Sequence, residues 1–402
     1  MSITIQLPAN DGSLQSYKLR GGTDFKPAKP AARLTRIAYS ATHVVADARA
    51  AIDPWIDCKV DWDQTIAYRR HLWSMGLGVA EGMDTAQRGM GLDWPTSLEL
   101  IRHTLDAARE LPGALVASGC GTDQLEPAAA KSVDDVIRAY EEQMEAIERL
   151  GSKLIVMASR ALVRVAKGPT DYERVYDRVL TQAKQPVILH WLGDMFDPAL
   201  GGYWGTNDLD RAMDTALGII EANAAKVDGI KISLLDKDKE IAMRRRLPAG
   251  GGPDGGGVRM YTGDDFNYAE LIAGDGVGAL PTHGKSDALL GIFDPIAPAA
   301  SAALAELAAG NTERFHQILA PTVALSRHIF QAPTRFYKAG VVFMAWLNGH
   351  QDHFVMVGGQ QSTRSLPHFA ELFRLADAAG LIEQPELAAR RMQTLLALYG
   401  ID

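Results

Sequence analysis

The sequence predicts a (β/α)₈ barrel carrying an N-terminal β-hairpin arm and a C-terminal helical extension. Three observations predict it. Eight short apolar, β-rich runs alternate with amphipathic helical stretches through short connections. Several runs are continuous apolar strings, such as Leu154-Ile155-Val156-Met157 and Val187-Ile188-Leu189, as parallel strands buried on both faces read. The length, 402 residues, exceeds the roughly 250 of a plain barrel and leaves room for extensions. An open doubly wound sheet is the competing architecture. No phosphate-binding glycine fingerprint follows the first strand, which counts against its dinucleotide-binding form.

The elements follow in order. Residues Ile3–Leu19 alternate weakly around Asn10-Asp11-Gly12, which predicts a hairpin turning at Asp11-Gly12. A polar link through Lys26–Pro30 ends an arm of residues 1–30. The barrel is expected over 31–310, with strands at Leu34–Ser40, Gly76–Ala80, Ala114–Ser118, Lys153–Met157, Pro186–His190, Gly229–Ser233, Val258–Thr262 and Ala288–Ile292. One helix between them is fully signalled. Ser132 caps it, Asp134 and Asp135 fill its first turn, Ile137, Tyr140, Met144 and Ile147 form its apolar face, and Gly151 stops it. Leu192–Gly205 reads as a long loop at the C-terminal end of the fifth strand, where barrel active sites lie. Pro248–Gly257 reads as a flexible insertion on the opposite face. Residues 311–402 are expected to be helical, with segments at Val323–Phe330, Tyr337–Leu347 and His368–Ala379.

Composition narrows the function. Hydrophobic residues make up 47% and charged residues 22%, as in an ordinary globular protein with a large core. The 41 basic and 49 acidic residues give a net charge of -8, which argues against nucleic acid as a partner. Cys58 and Cys120 are too few for a disulfide framework. No signal peptide and no membrane span are read, so the expected location is the cytoplasm, with no membrane partner.

Lys231 is the most informative residue. It interrupts the apolar strand Gly229-Ile230-Lys231-Ile232-Ser233. Alternation puts Ile230 and Ile232 on one face and Gly229, Lys231 and Ser233 on the other. With the isoleucines against the helices, Lys231 points into the barrel. A desolvated ammonium loses its proton more readily, and the free amine can add to a ketone and form an iminium. A strand-end lysine paired with a carboxylate fits the same position.

The segment Asp228-Gly229-Ile230-Lys231-Ile232-Ser233 resembles the sixth strand of the dihydrodipicolinate synthase and N-acetylneuraminate lyase family. Tyr261-Thr262-Gly263-Asp264-Asp265 is similar to that family's seventh strand, and Ala117-Ser118-Gly119-Cys120-Gly121-Thr122 to the glycine-rich end of its third. Tyr337-Lys338-Ala339-Gly340, followed by Leu347-Asn348-Gly349, resembles the lysine-containing helix of its extension. The resemblance spans Leu34 to the C-terminus and points to a branch of unknown function. It implies a homo-oligomeric class I aldolase or hydro-lyase whose Schiff base forms on Lys231, with Ser233, Gly263, Asp264 and Thr122 around the substrate.

Two departures bear on the substrate. Where the family carries Gly-Thr-Thr-Gly-Glu to receive a keto-acid carboxylate, this chain has Glu81-Gly82-Met83-Asp84-Thr85, and acids repel a carboxylate. Where the family's fifth strand ends in a proton-relaying tyrosine, this one ends in His190-Trp191. His190 is therefore the expected proton shuttle, titrating near neutrality. Glu81 and Asp84 suit sugar hydroxyls, and Arg160 suits a carboxylate or phosphate, or a salt bridge to loop acids. His43 also falls at a strand end. Trp191, Tyr203 and Trp204 suit either a sugar ring or packing of their loop. The expected substrate is a small keto sugar or sugar-derived keto acid, with no cofactor. One rival is a divalent metal held by Glu81, His190 and Asp194, with His43, Asp47 and Asp84 nearby, in a sugar isomerase or epimerase. The other is a ligand-binding relative without turnover.

Overall fold

The computed structural model describes residues 3–9, 11–28, 34–249 and 256–401. Two strands, β1 (Thr4–Pro8) and β2 (Leu14–Lys18), pair antiparallel as a separate hairpin. Gly12 takes φ +81° in its turn, a conformation open to glycine at no steric cost. The neighbouring Asn10 lies outside the described residues.

Eight further strands close a parallel barrel: β3 (Ala38–Ala41), β4 (Gly78–Glu81), β5 (Val116–Cys120), β6 (Lys153–Val156), β7 (Val187–Leu192), β8 (Val227–Ser233), β9 (Arg259–Thr262) and β10 (Asp287–Leu290). They pair in chain order, and β10 closes on β3. Each predicted strand coincides with one of these. The first is shorter than expected, because β3 pairs with its neighbours only from Ala38 onward. The last begins at Asp287 rather than Ala288 and ends at Leu290, as its pairing with β9 and β3 dictates. The predicted insertion Pro248–Gly257 lies partly outside the described residues, at 250–255.

Alternation along the strands creates two apolar compartments. Tyr39, Ala80, Ala117, Ile155, Ile188, Tyr261 and Leu289 fill the barrel interior. Val79, Val156, Leu189, Ile230, Ile232 and Leu290 face the larger core shared with the helices. The helix Val133–Leu150 starts at a reciprocal cap between Ser132 and Asp135 and stops at Gly151, φ +87°, as its sequence signals predict. The C-terminal region contributes the helices Thr312–Ile329, Lys338–Leu347, Leu366–Ala378 and Pro385–Leu398.

Packing places the arm and decides between the two readings of the loop aromatics. The hairpin docks on the C-terminal helix Leu366–Ala378 of its own chain. The Tyr17 hydroxyl donates to Asp377 Oδ2 at 2.7 Å, and the Arg20 and Gly21 amides donate to the same carboxylate. The loop after β7 is built from aromatic packing. Trp191, Tyr203 and Trp204 are buried, and the last two pack against Tyr172 and Tyr176, so these rings support the loop instead of presenting a stacking platform. Among the described residues, no helix is long and apolar enough to cross a membrane.

Candidate active site

Lys231 projects into the barrel, as its alternation with Ile230 and Ile232 requires. It pairs in register with His190 of β7 and Tyr261 of β9, both inward residues. Gly263, just past β9, makes its space: a Cβ there would lie 2.8 Å from Lys231 Cε and 2.4 Å from Ser233 Oγ. Gly263 therefore clears room for the lysine and serine. Burial pulls the Lys231 ammonium below the usual lysine range, while Asp265 and Asp84 pull the other way. No carboxylate among the described residues lies within ion-pair distance of it, which sets it apart from a structural strand-end lysine.

His190 Nε2 lies 3.2 Å from Ser233 Oγ, so these two side chains meet on the Lys231 side of the mouth. Burial, helped by the Lys231 charge, pushes the imidazole well below its usual pKa. The expected titration of His190 near neutrality does not fit this environment, in which burial favours the neutral ring.

A cavity of about 450 Å³ opens at the C-terminal ends of β4 to β7. His190, Asp84, Thr122 and Arg160 line it together, so four of the residues read from the sequence do converge. Thr122 shares a 2.6 Å hydrogen bond with Ser159, and the Arg160 guanidinium is held by Asp197.

Three others do not reach this space. Glu81 alternates outward. Arg69, from the helix Trp62–Ser74, grips both its oxygens at 2.9 and 3.0 Å, and Thr104 and the Gly82 amide complete its bonding. A carboxylate so satisfied has nothing left for a sugar or a metal. Asp264 caps the turn after β9, accepting from the amides of Phe266 and Asn267. His43 is fully buried against Asp294, with Nδ1 to Oδ2 at 2.8 Å, and packs on Tyr68. The metal set Glu81, His190 and Asp194 does not assemble: Glu81 faces the helices and Asp194 is exposed. Asp47 caps a turn at Arg49. Among the described residues, no group of three or more His, Cys, Asp or Glu side chains is placed to hold a metal ion.

Sequence reasoning missed three groups at the mouth. Asp265, one position beyond Asp264, accepts from the Ile292 amide at 2.9 Å, and burial raises its pKa to about 7 against the pull of Lys231. Tyr337 and Lys338 come from the C-terminal extension. Lys338 is buried, and burial lowers it to about 8. Each left a signal that was not read as part of the site: Asp265 as the second acid of Tyr-Thr-Gly-Asp-Asp, Tyr337 and Lys338 in the Tyr-Lys-Ala-Gly run of the extension.

Known structures share this fold. YagE, a prophage protein of the dihydrodipicolinic acid synthase family from E. coli K12 solved in complex with pyruvate, is 14% identical, with a TM-score of 0.63 over 87% of this chain and 100% of its own. CdNal from Clostridium difficile, solved with mannosamine, is 15% identical, with a TM-score of 0.57 over 85% and 98%. The 4-hydroxy-tetrahydrodipicolinate synthase of Methylacidiphilum fumariolicum SolV is 15% identical, with a TM-score of 0.58 over 91% and 98%. No curated protein matches the sequence. A family model described as a protein of unknown function, DUF993, matches residues 5–401, and the chain belongs to that family.

Proposed function

We propose that this protein is a Schiff-base-forming lyase, an aldolase or hydro-lyase, that acts on a keto sugar or sugar-derived keto acid through Lys231. The observation that carries this reading is the environment of Lys231: a buried amine on the inner face of a barrel strand, unpaired by any described carboxylate, in register with His190, which lines the mouth cavity. Burial favours the neutral amine, which is the nucleophile. The amine adds to the substrate carbonyl, water leaves, and the iminium so formed draws electrons from the adjacent carbon, where a C–C or C–O bond is made or broken.

The surroundings fit a polyhydroxylated substrate. The cavity is lined by Asp84 and Arg160, with Asp123 held by Arg88 and Asp93 capping the next helix, and the Asp84 carboxylate can accept hydrogen bonds from hydroxyls. His190, neutral, offers the substrate a hydrogen bond without a charge. The similar structures were solved with pyruvate in one case and mannosamine in another, a keto acid and a sugar.

Reductive trapping tests the reading. Borohydride treatment with keto acids or keto sugars should add the reduced ligand's mass to the wild-type chain. Lys231→Ala should abolish the adduct while its far-UV circular dichroism matches wild type. A variant that still traps as well as wild type would refute the role, and a wild type that traps nothing would leave a ligand-binding barrel.

A further inference from the structure

The residue before the helix Lys338–Leu347 belongs to the C-terminal extension, yet its side chain ends at the barrel mouth. The Tyr337 hydroxyl lies 2.8 Å from Thr85 Oγ1, in the short 3-10 turn Asp84–Ala86 that follows β4. The ring stacks on Phe330 at 4.4 Å with planes 16° apart, and Phe196, from the loop after β7, meets it edge-on. Gly291, just past β10, leaves room for it: a Cβ there would stand 3.3 Å from Tyr337 Cε2. The next amide, that of Ile292, binds Asp265. Asp265 and Asp84 are the two carboxylates whose fields reach Lys231, and both also act on Tyr337. The phenol and the amine therefore face the same pair of acids from opposite ends of the chain fold. The Lys338 ammonium sits 4.6 Å from the centre of the phenol ring, while burial and the two carboxylates hold the phenol well above its usual pKa, so it rests protonated and ready to donate.

We propose that Tyr337, delivered from the C-terminal extension and oriented by Thr85, is the group that carries protons to and from the substrate bound on Lys231. The proposal rests on the Lys231 reading above. The hydroxyl of the carbinolamine on Lys231 departs with the Tyr337 proton, as water. A C–O bond breaks, the C=N bond of the iminium forms, and a phenolate remains. The phenolate then takes a proton from the carbon beside the iminium. The C–H electrons form the enamine double bond, the iminium becomes neutral, and the phenol is restored. No further reactant is required. Thr85 is a positioning residue in this scheme, since it acts through its hydrogen bond to the Tyr337 hydroxyl.

The experiment measures two quantities on the full-length protein with pyruvate, 2-oxobutyrate and dihydroxyacetone as probes. One is the fraction of protein trapped by borohydride at equilibrium, read by intact mass. The other is deuterium wash-in, in D₂O, at the carbon beside the carbonyl, read by NMR. Tyr337→Phe keeps the ring and its stack on Phe330. It should trap the probe to the wild-type extent yet exchange deuterium roughly 10²–10⁴-fold more slowly, the range for lost acid–base help. Thr85→Val should slow exchange in the same sense, and Thr85→Ser should restore it. Wild-type exchange by a trapped Tyr337→Phe protein would overturn the proposal and leave Lys231 standing, as would a wild type that traps but exchanges no probe. A wild type that traps no probe would overturn both.

Discussion

Lys231 and His190 illustrate how one buried wall sets two charge states in opposite chemical interests. Burial disfavours the charged form of both. For the amine this exposes a nucleophile; for the imidazole it removes the positive charge at neutral pH. A pH limb near neutrality therefore belongs elsewhere, and Asp265, raised to about 7, is the group placed to supply it. Its carboxyl is protonated and neutral below that value and anionic above it, so the negative charge that favours the iminium appears as pH rises. In the deuterium-exchange assay, His190→Gln should keep the limb between pH 6 and 8, whereas Asp265→Asn should lose it. Loss of the limb in His190→Gln would show that the imidazole titrates after all. Lys231 was legible in the sequence because a single charged residue interrupts a strict alternation. Asp265 was not separable from Asp264, since adjacent acids after a strand differ only by which one the turn consumes as a cap.

At the level of elements, the strands and the helix Val133–Leu150 follow from local signals: apolar runs, a capping serine, a stopping glycine. Glu81 shows where such reading fails and why. It ends a strand near the active face, as a catalytic carboxylate does. Yet Ala80 beside it lies in the barrel interior, so Glu81 must point to the helices, and Arg69 waits there. The parity was available in the sequence; the partner, on another element, was not. Both groups are fully buried, and removing one partner leaves a buried charge unpaired. Glu81→Gln should lower unfolding stability by about 3–5 kcal/mol, measured by urea denaturation. The fraction of folded protein trapped on Lys231 should stay at the wild-type value. A stable Glu81→Gln protein with weakened ligand binding would return Glu81 to the substrate.

At the scale of the molecule, the two chain ends hold one another and the extension reaches the barrel mouth. The Tyr337–Thr85 contact joins residues 252 apart and the Tyr17–Asp377 contact residues 360 apart. No periodicity or motif encodes such pairings, so the sequence yields a helical appendage without its purpose. Asp377 gathers the Tyr17 hydroxyl and two backbone amides of the arm. Asp377→Ala should cost roughly 1–3 kcal/mol for the donors left unmet and free the arm to protease, with trapping unchanged. An arm that stays protected would mean that Ile5 and Leu7, both buried, hold it without this carboxylate. The central claim concerns a single nitrogen among two buried lysines at the mouth, Lys231 and Lys338. The most direct measurement is peptide mapping of the wild-type protein after borohydride trapping with a keto acid or keto sugar. The account predicts one reduced adduct, on the peptide containing Lys231. An adduct on Lys338, or none across the panel, would contradict it.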